Sequence, residues 1–127
     1  LVGSFLLFLT ARNCMSEVIS VKKNRDFQKV FKTGRSYANK YLVMYVMKNE
    51  ENAGNRIGIS VSKKVGNSVV RHRVKRLIKE SYRLNAVKIS GSYDIVVVAR
   101  QDARDRDYSE IESALMHLCK LHHILAQ

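Results

Sequence analysis

The period of the apolar positions changes several times along the chain, and each change marks an element. In residues 24–32, Phe27, Val30 and Phe31 fall at i, i+3 and i+4, the spacing of one helix face, with Asn24 placed to cap it and Gly34 to stop it. Residues 37–48 contain YLVMYVM, rich in strand formers, and read as one strand or a bent strand pair. NEENAGN at 49–55 is a polar turn. Ile57, Ile59 and Val61 then alternate as on a half-buried strand. The short link predicts an antiparallel hairpin between these two strands. Asn67 or Ser68 caps a long helix to about Asn85, with Val70, Val74, Leu77 and Ile78 as its inner stripe. Gly91 and Ser92 make a turn. YDIVVVA at 93–99 is the near-continuous apolar run of a central strand covered on both faces. Residues 109–125 form a last helix, with Ile111, Leu115, Leu118 and Leu121 or His122 inward. The order predicts an α+β fold with a mostly antiparallel sheet and one parallel β-α-β crossover.

The first fourteen residues have a different character. LVGSFLLFLTA is apolar but shorter than the roughly 20 residues a membrane-spanning helix needs. No basic residue precedes it, as one would in a secretory signal; Arg12 follows it. Met15 opens a polar segment. The expectation is an upstream or non-native extension over 1–14 and a single domain over 15–127; the plainer alternative is an extra strand or helix packed on the domain.

Charge sharpens the picture. The 127 residues hold 23 Lys and Arg against 11 Asp and Glu, a net +12, which points to a polyanionic partner, nucleic acid before membrane. Between Ser62 and Lys88 every charged residue but Glu80 is basic. On a helix, Arg71, Arg73, Lys75, Arg76, Lys79 and Arg83 occupy the circumference that the apolar stripe leaves free. A solvated surface helix ordinarily mixes signs through i, i+4 pairs. A one-sign face costs self-repulsion, and phosphate relieves it. The preceding Lys63-Lys64-Val65-Gly66-Asn67-Ser68 lacks P-loop spacing, yet such a loop can hold a phosphate on backbone N–H groups. A second basic stretch, from Lys22 to Lys48, carries Phe27, Phe31, Tyr37, Tyr41 and Tyr45 with Asp26 its single acid. The three tyrosines share parity and so share a face of an unbroken strand. Aromatics among cations suit single-stranded RNA, whose bases stack while phosphates track the charge; core packing is the plain reading, favoured for Phe27 and Phe31 taken alone.

Protein-based catalysis finds no centre. His72 lies in the basic helix, and His117, His122 and His123 lie on the last helix with no partner nucleophile. Cys14 and Cys119 lack metal-ligand spacing and are too few for a disulfide framework. Asp102, Asp105 and Asp107 alternate with Arg100, Arg104 and Arg106, which favours a salt-bridged loop over a metal cluster.

The run GISVSKKVGNSVVRHRVKRLI at 58–78 closely resembles the signature of the bacterial ribonuclease P protein subunit, in which an Arg-Asn-Arg motif opens the long helix. KNRDFQKVFKTG at 23–34, SYAN at 36–39 and YDIVVVAR at 93–100 support the resemblance, which covers about residues 20–120. His72 stands where the family usually has Asn; Arg71 and Arg73 remain. The resemblance implies an α-β sandwich whose crossover is left-handed. It implies a cytoplasmic protein that does no chemistry itself. The holoenzyme removes the 5′ leader of precursor tRNA, its catalytic component is RNA, and Mg²⁺ is bound mainly by that RNA. By motif position, Lys63, Lys64, Asn67, Arg71, Arg73, Lys75 and Arg76 would meet the catalytic RNA, and Phe27, Phe31 and Tyr45 would line the leader cleft. Neither a membrane nor a protein partner is implied. A general RNA-binding protein outside any catalytic complex, and a self-sufficient nuclease, are the competing readings; the nuclease would need a carboxylate cluster or His–Lys pair that the sequence does not present.

Overall fold

The computed structural model describes residues 24–49 and 54–126. The expected extension over 1–14, with Cys14, lies outside them. Helix α1 (Asn24–Thr33) leads into β1 (Arg35–Ala38) and β2 (Leu42–Lys48); β3 (Arg56–Ser60), α2 (Ser68–Asn85), β4 (Tyr93–Ala99) and α3 (Tyr108–Leu121) follow. Single 3-10 turns at Ala86–Lys88 and Gln101–Ala103 flank β4. Gly34 stops α1 as expected. Its N–H donates to the Val30 carbonyl at 2.8 Å, and a Cβ there would sit 2.6 Å from that oxygen.

The strand-rich stretch is a bent pair. Residues 39–41 turn the chain, so β1 and β2 are antiparallel neighbours, with Ser36 opposite Tyr45 and Tyr37 opposite Met44. Asn39 builds this turn. Its Oδ1 accepts from the N–H groups of Tyr41 and Leu42 at 3.1 and 3.0 Å.

The hairpin expected between β2 and β3 does not form. The sheet order is β1-β2-β4-β3, with β4 inserted between them, antiparallel to β2 and parallel to β3. Burial explains the insertion. Ile95, Val96 and Val97 have no exposed surface, and only an interior strand can hide both faces of such a run. Strands two places apart lie only about 10 Å apart, which the β2–β3 link can span. The parallel β3-α2-β4 unit is the crossover the element order predicted.

Alternation assigns the sheet's two faces. Leu42, Met44 and Val46 of β2, Ile57 of β3 and Ile95, Val97 and Ala99 of β4 join one core with Val74 and Ile78 of α2 and Ile111, Leu115 and Leu118 of α3. Tyr45 and Val96 face the other way, toward α1. There Val30 and Val96 are fully buried outside the main core.

Both long helices start on side-chain caps. Asn67 Oδ1 accepts from Val70 N–H, and Asp107 forms a reciprocal capping box with Glu110. Each cap contributes about 0.5–2 kcal/mol. Helix α3 ends four residues before the expected Leu125. His123 adopts φ 57°, its N–H donates to Lys120 and that of Ile124 to Cys119, so the chain reverses and buries Ile124. No glycine announces this stop. Leu125 then bridges to Ile89.

Candidate nucleic-acid interface

The α1 face of the sheet carries an aromatic cluster. One turn of helix separates Phe27 from Phe31, and their ring centroids lie 6.3 Å apart. Phe31 meets Tyr45 of β2 edge-on at 4.9 Å. All three rings are half-buried, so each keeps surface that a base could cover. The sequence's three leader candidates therefore come together. The other two tyrosines do not join them. The turn at 39–41 breaks the shared parity, and Tyr37, opposite Met44, lies on the far face against His122 at 4.7 Å. Tyr41 sits in the turn under the Arg106 guanidinium, 5.0 Å from the ring centre.

An acid lies on the same face as the aromatic cluster, at the start of β4. Asp94 is buried but receives Arg56 Nε and Nη2 at 2.8 and 2.7 Å and Asn49 Nδ2 at 3.2 Å. That bidentate pairing offsets the carboxylate's charge on this face.

The second surface is the outward side of α2 and the turn before it. Lys63, Lys64, His72, Lys75, Arg76 and Lys79 are exposed. Glu80, their one acid, is taken by Arg83 at 2.9 Å. The hydrogen bond from Arg83 holds the Glu80 carboxyl below its usual range, and Arg76 and Lys79 add to the effect. Two of the other candidates, Asn67 and Arg73, carry structural duties. Asn67 spends its side-chain oxygen on the cap. Arg71 is half-buried, and its Nε is sealed without a hydrogen-bond partner. Arg73 reaches across to the loop before α3, donating from Nη2 to the Arg106 carbonyl at 2.9 Å and from Nη1 to that of Arg104 at 3.5 Å.

The Arg/Asp loop before α3 is less of a salt-bridged loop than expected. Arg104 and Asp105 make one long, exposed pair at 3.9 Å. Asp107 is the helix cap, and Arg106 pairs with Glu110 at 3.3 Å while covering Tyr41. The contact between Arg106 and Tyr41 was invisible in sequence, because it joins residues 65 apart through the fold.

Nothing among the described residues arranges a nucleophile. Burial pushes the Cys119 thiol up to about 12, far from a reactive thiolate. No group of three His, Cys, Asp or Glu side chains is placed to hold a metal ion among these residues. None of the described helices is long and apolar enough to cross a membrane.

Comparison with known proteins agrees with this layout. The Ribonuclease P family model matches residues 15–122. The ribonuclease P protein component of Lachnoclostridium phytofermentans is 62% identical over 112 residues, covering 88% of this chain and 94% of that protein. The solved ribonuclease P protein of Staphylococcus aureus superposes with a TM-score of 0.79 at 40% identity, covering 87% of this chain and all of that one. That of Thermotoga maritima gives 0.73 at 32% identity, covering 80% of this chain and 96% of its own. With family, sequence and fold in agreement, the chain belongs to the bacterial ribonuclease P protein family.

Proposed function

We propose that the chain works as the RNA-binding, non-catalytic subunit of ribonuclease P in the cytoplasm. It docks on the catalytic RNA and helps that RNA remove the 5′ leader of precursor tRNA. The observation that carries this reading is the outward side of α2. Lys63, Lys64, Lys75, Arg76 and Lys79 are exposed together, and the one acid among them is already paired. Such a face gains most from a phosphate backbone, where each neutralised phosphate releases a counterion. Arg71 would add a cation at its inner edge.

The aromatic cluster lies on the other face of the sheet. Phe27, Phe31 and Tyr45 can stack bases of the leader while α2 stays on the catalytic RNA. A protein gripping both would hold the scissile bond against the ribozyme, a gain in positioning. The described residues offer no carboxylate set for Mg²⁺; on this reading the RNA holds it, and no step runs through the protein.

The decisive experiment is cleavage of precursor tRNA at low Mg²⁺ by the catalytic RNA alone, with and without this chain. Stimulated release of the leader at the mature 5′ end is the expected result. RNA binding without stimulation would favour a general RNA-binding protein instead.

A further inference from the structure

A cavity of about 550 Å³ lies between the β1–β2 turn and α3, apart from both surfaces above. Asn39, Lys40 and Tyr41 line it from the turn, and Ser109, Ser113 and His117 from the helix. We infer that this cavity is a further RNA contact, taking one unpaired, phosphate-bearing nucleotide of the same catalytic RNA that docks on α2. The inference rests on the function proposed above.

Its chemistry is that of an anion site. Lys40 supplies an ammonium, and Ser109 and Ser113 supply hydroxyls. His117 supplies a ring N–H for a reason the turn dictates. Asn39 Oδ1 is committed to two backbone N–H groups, so its Nδ2 must be what faces the Ala114 carbonyl at 3.0 Å and His117 Nδ1 at 3.3 Å. Nδ1 therefore accepts, and the neutral ring carries its hydrogen on Nε2. The cavity's one carboxylate, Glu110, is spent on Arg106 Nη1 and on the Asp107 N–H, both at 3.3 Å. Among the described residues, what remains is a set of exposed donors, with Lys40 Nζ 5.9 Å from the centre of the Tyr41 ring. The volume falls within the roughly 300–1,000 Å³ of small-ligand sites.

The walls are held in place. Arg100 Nη1 donates to the Asn39 carbonyl at 2.9 Å, and Arg106 Nε donates to that of Asp102 at 3.1 Å while its guanidinium covers Tyr41. Arg73 of α2 fixes the same loop through the carbonyls of Arg104 and Arg106. That last tie chooses the ligand's source. It joins the cavity's rim to the basic helix on one side of the sheet, whereas Phe27, Phe31 and Tyr45 lie on the other. An RNA already lying along α2 reaches the cavity; a leader strand held by the aromatic cluster does not.

The test measures binding of the full chain to the isolated catalytic RNA. Ser113→Tyr fills the cavity from an exposed position without changing charge. Lys40→Gln removes its cation on an exposed turn that folds regardless. Arg76→Ala reports on the α2 face. Ser113→Tyr is expected to weaken binding about tenfold, because the added ring excludes the nucleotide from the cavity. Lys40→Gln should weaken it too and lower the log–log salt slope by about 0.7–0.9. Melting temperature and the preference for precursor over mature tRNA should stay as in the wild type. If Ser113→Tyr misfolds, Lys40→Gln decides. Wild-type binding by both cavity variants, with Arg76→Ala impaired, would overturn the cavity and leave the proposed function standing. Wild-type binding by Arg76→Ala as well would count against that function itself. A Ser113→Tyr variant that lost leader preference while keeping its affinity for the catalytic RNA would overturn the assignment to that RNA.

Discussion

The two faces of one four-stranded sheet are put to different uses. Against α2 and α3, Leu42, Met44, Ile57, Ile95, Val97, Ile111, Leu115 and Leu118 are all 2% exposed or less. Against α1, Val30 and Val96 are equally hidden, but Phe27, Phe31 and Tyr45 are left half-covered. Full burial of such a ring would add about 1.5–3 kcal/mol. The α1 face forgoes part of that stabilisation and leaves ring surface open. The α2/α3 face takes all of it, and carries its cations on the outside of the covering helices. On the function proposed above, stability and recognition are separated across the thickness of one sheet.

The sharpest way to break this comparison is to cut into each face in turn. Leu115→Ala removes a fully buried side chain from the α2/α3 core and is expected to cost about 2–5 kcal/mol in urea denaturation. Phe31→Ala removes a larger side chain from the α1 face, yet should cost less than the ~3–5 kcal/mol of a fully buried Phe. Its ring is partly solvated, and the edge contact to Tyr45 is worth only about 0.5–1.5 kcal/mol. Equal losses for the two variants would mean that both faces serve as core.

A second variant moves the comparison from stability to binding. Tyr45→Leu keeps apolar bulk on β2 and deletes the aromatic surface. It should lower leader-dependent binding of precursor tRNA by about 1–3 kcal/mol. Binding to the isolated catalytic RNA should be unchanged, because α2 is untouched. Affinities for precursor and mature tRNA, measured side by side on the reconstituted complex, check this. A large fall in melting temperature with intact leader preference would place Tyr45 in the core.

Much of this division is written in local pattern, and the rest is not. The helix period around Phe27, Val30 and Phe31, the one-sign face of α2 and the apolar run of β4 each follow from a few neighbouring residues. Sheet order does not. The link between β2 and β3 looks like a hairpin until β4, over thirty residues later, takes the interior place that its burial demands. The tyrosine stripe failed for a related reason. A three-residue turn at Asn39 reverses the chain, so Tyr37 and Tyr45 share parity in sequence and lie on opposite faces in space. Arg73 shows the limit at the level of one side chain. Its place in the basic motif announces a phosphate contact, but only the fold brings the carbonyls of Arg104 and Arg106 within its reach.

The smallest expected effect concerns pH, and it belongs to the α2/α3 side alone. His122, at the end of α3, is 7% exposed, and its Nε2 lies 3.0 Å from the Met44 carbonyl. A carbonyl only accepts, so Nε2 carries the hydrogen and Nδ1 is bare in the neutral ring. Burial lowers the pKa of His122, Arg35 lowers it further, and the bond to Met44 opposes them. The unfolded chain therefore binds this proton more readily than the folded one. The stabilisation is complete above the ordinary histidine pKa of about 6.5 and is lost as pH falls below it, through the folded value. Between pH 7 and pH 5 the wild type should lose more stability than His122→Gln, which has no ring to protonate. Urea melts of both proteins at the two pH values measure the difference. The aromatic cluster consists of Phe27, Phe31 and Tyr45, with no histidine or carboxylate among them, so leader preference should hold over the same range wherever the protein stays folded. A leader preference that fell together with His122 protonation would show that the two faces are coupled through the sheet, and that their separation is incomplete.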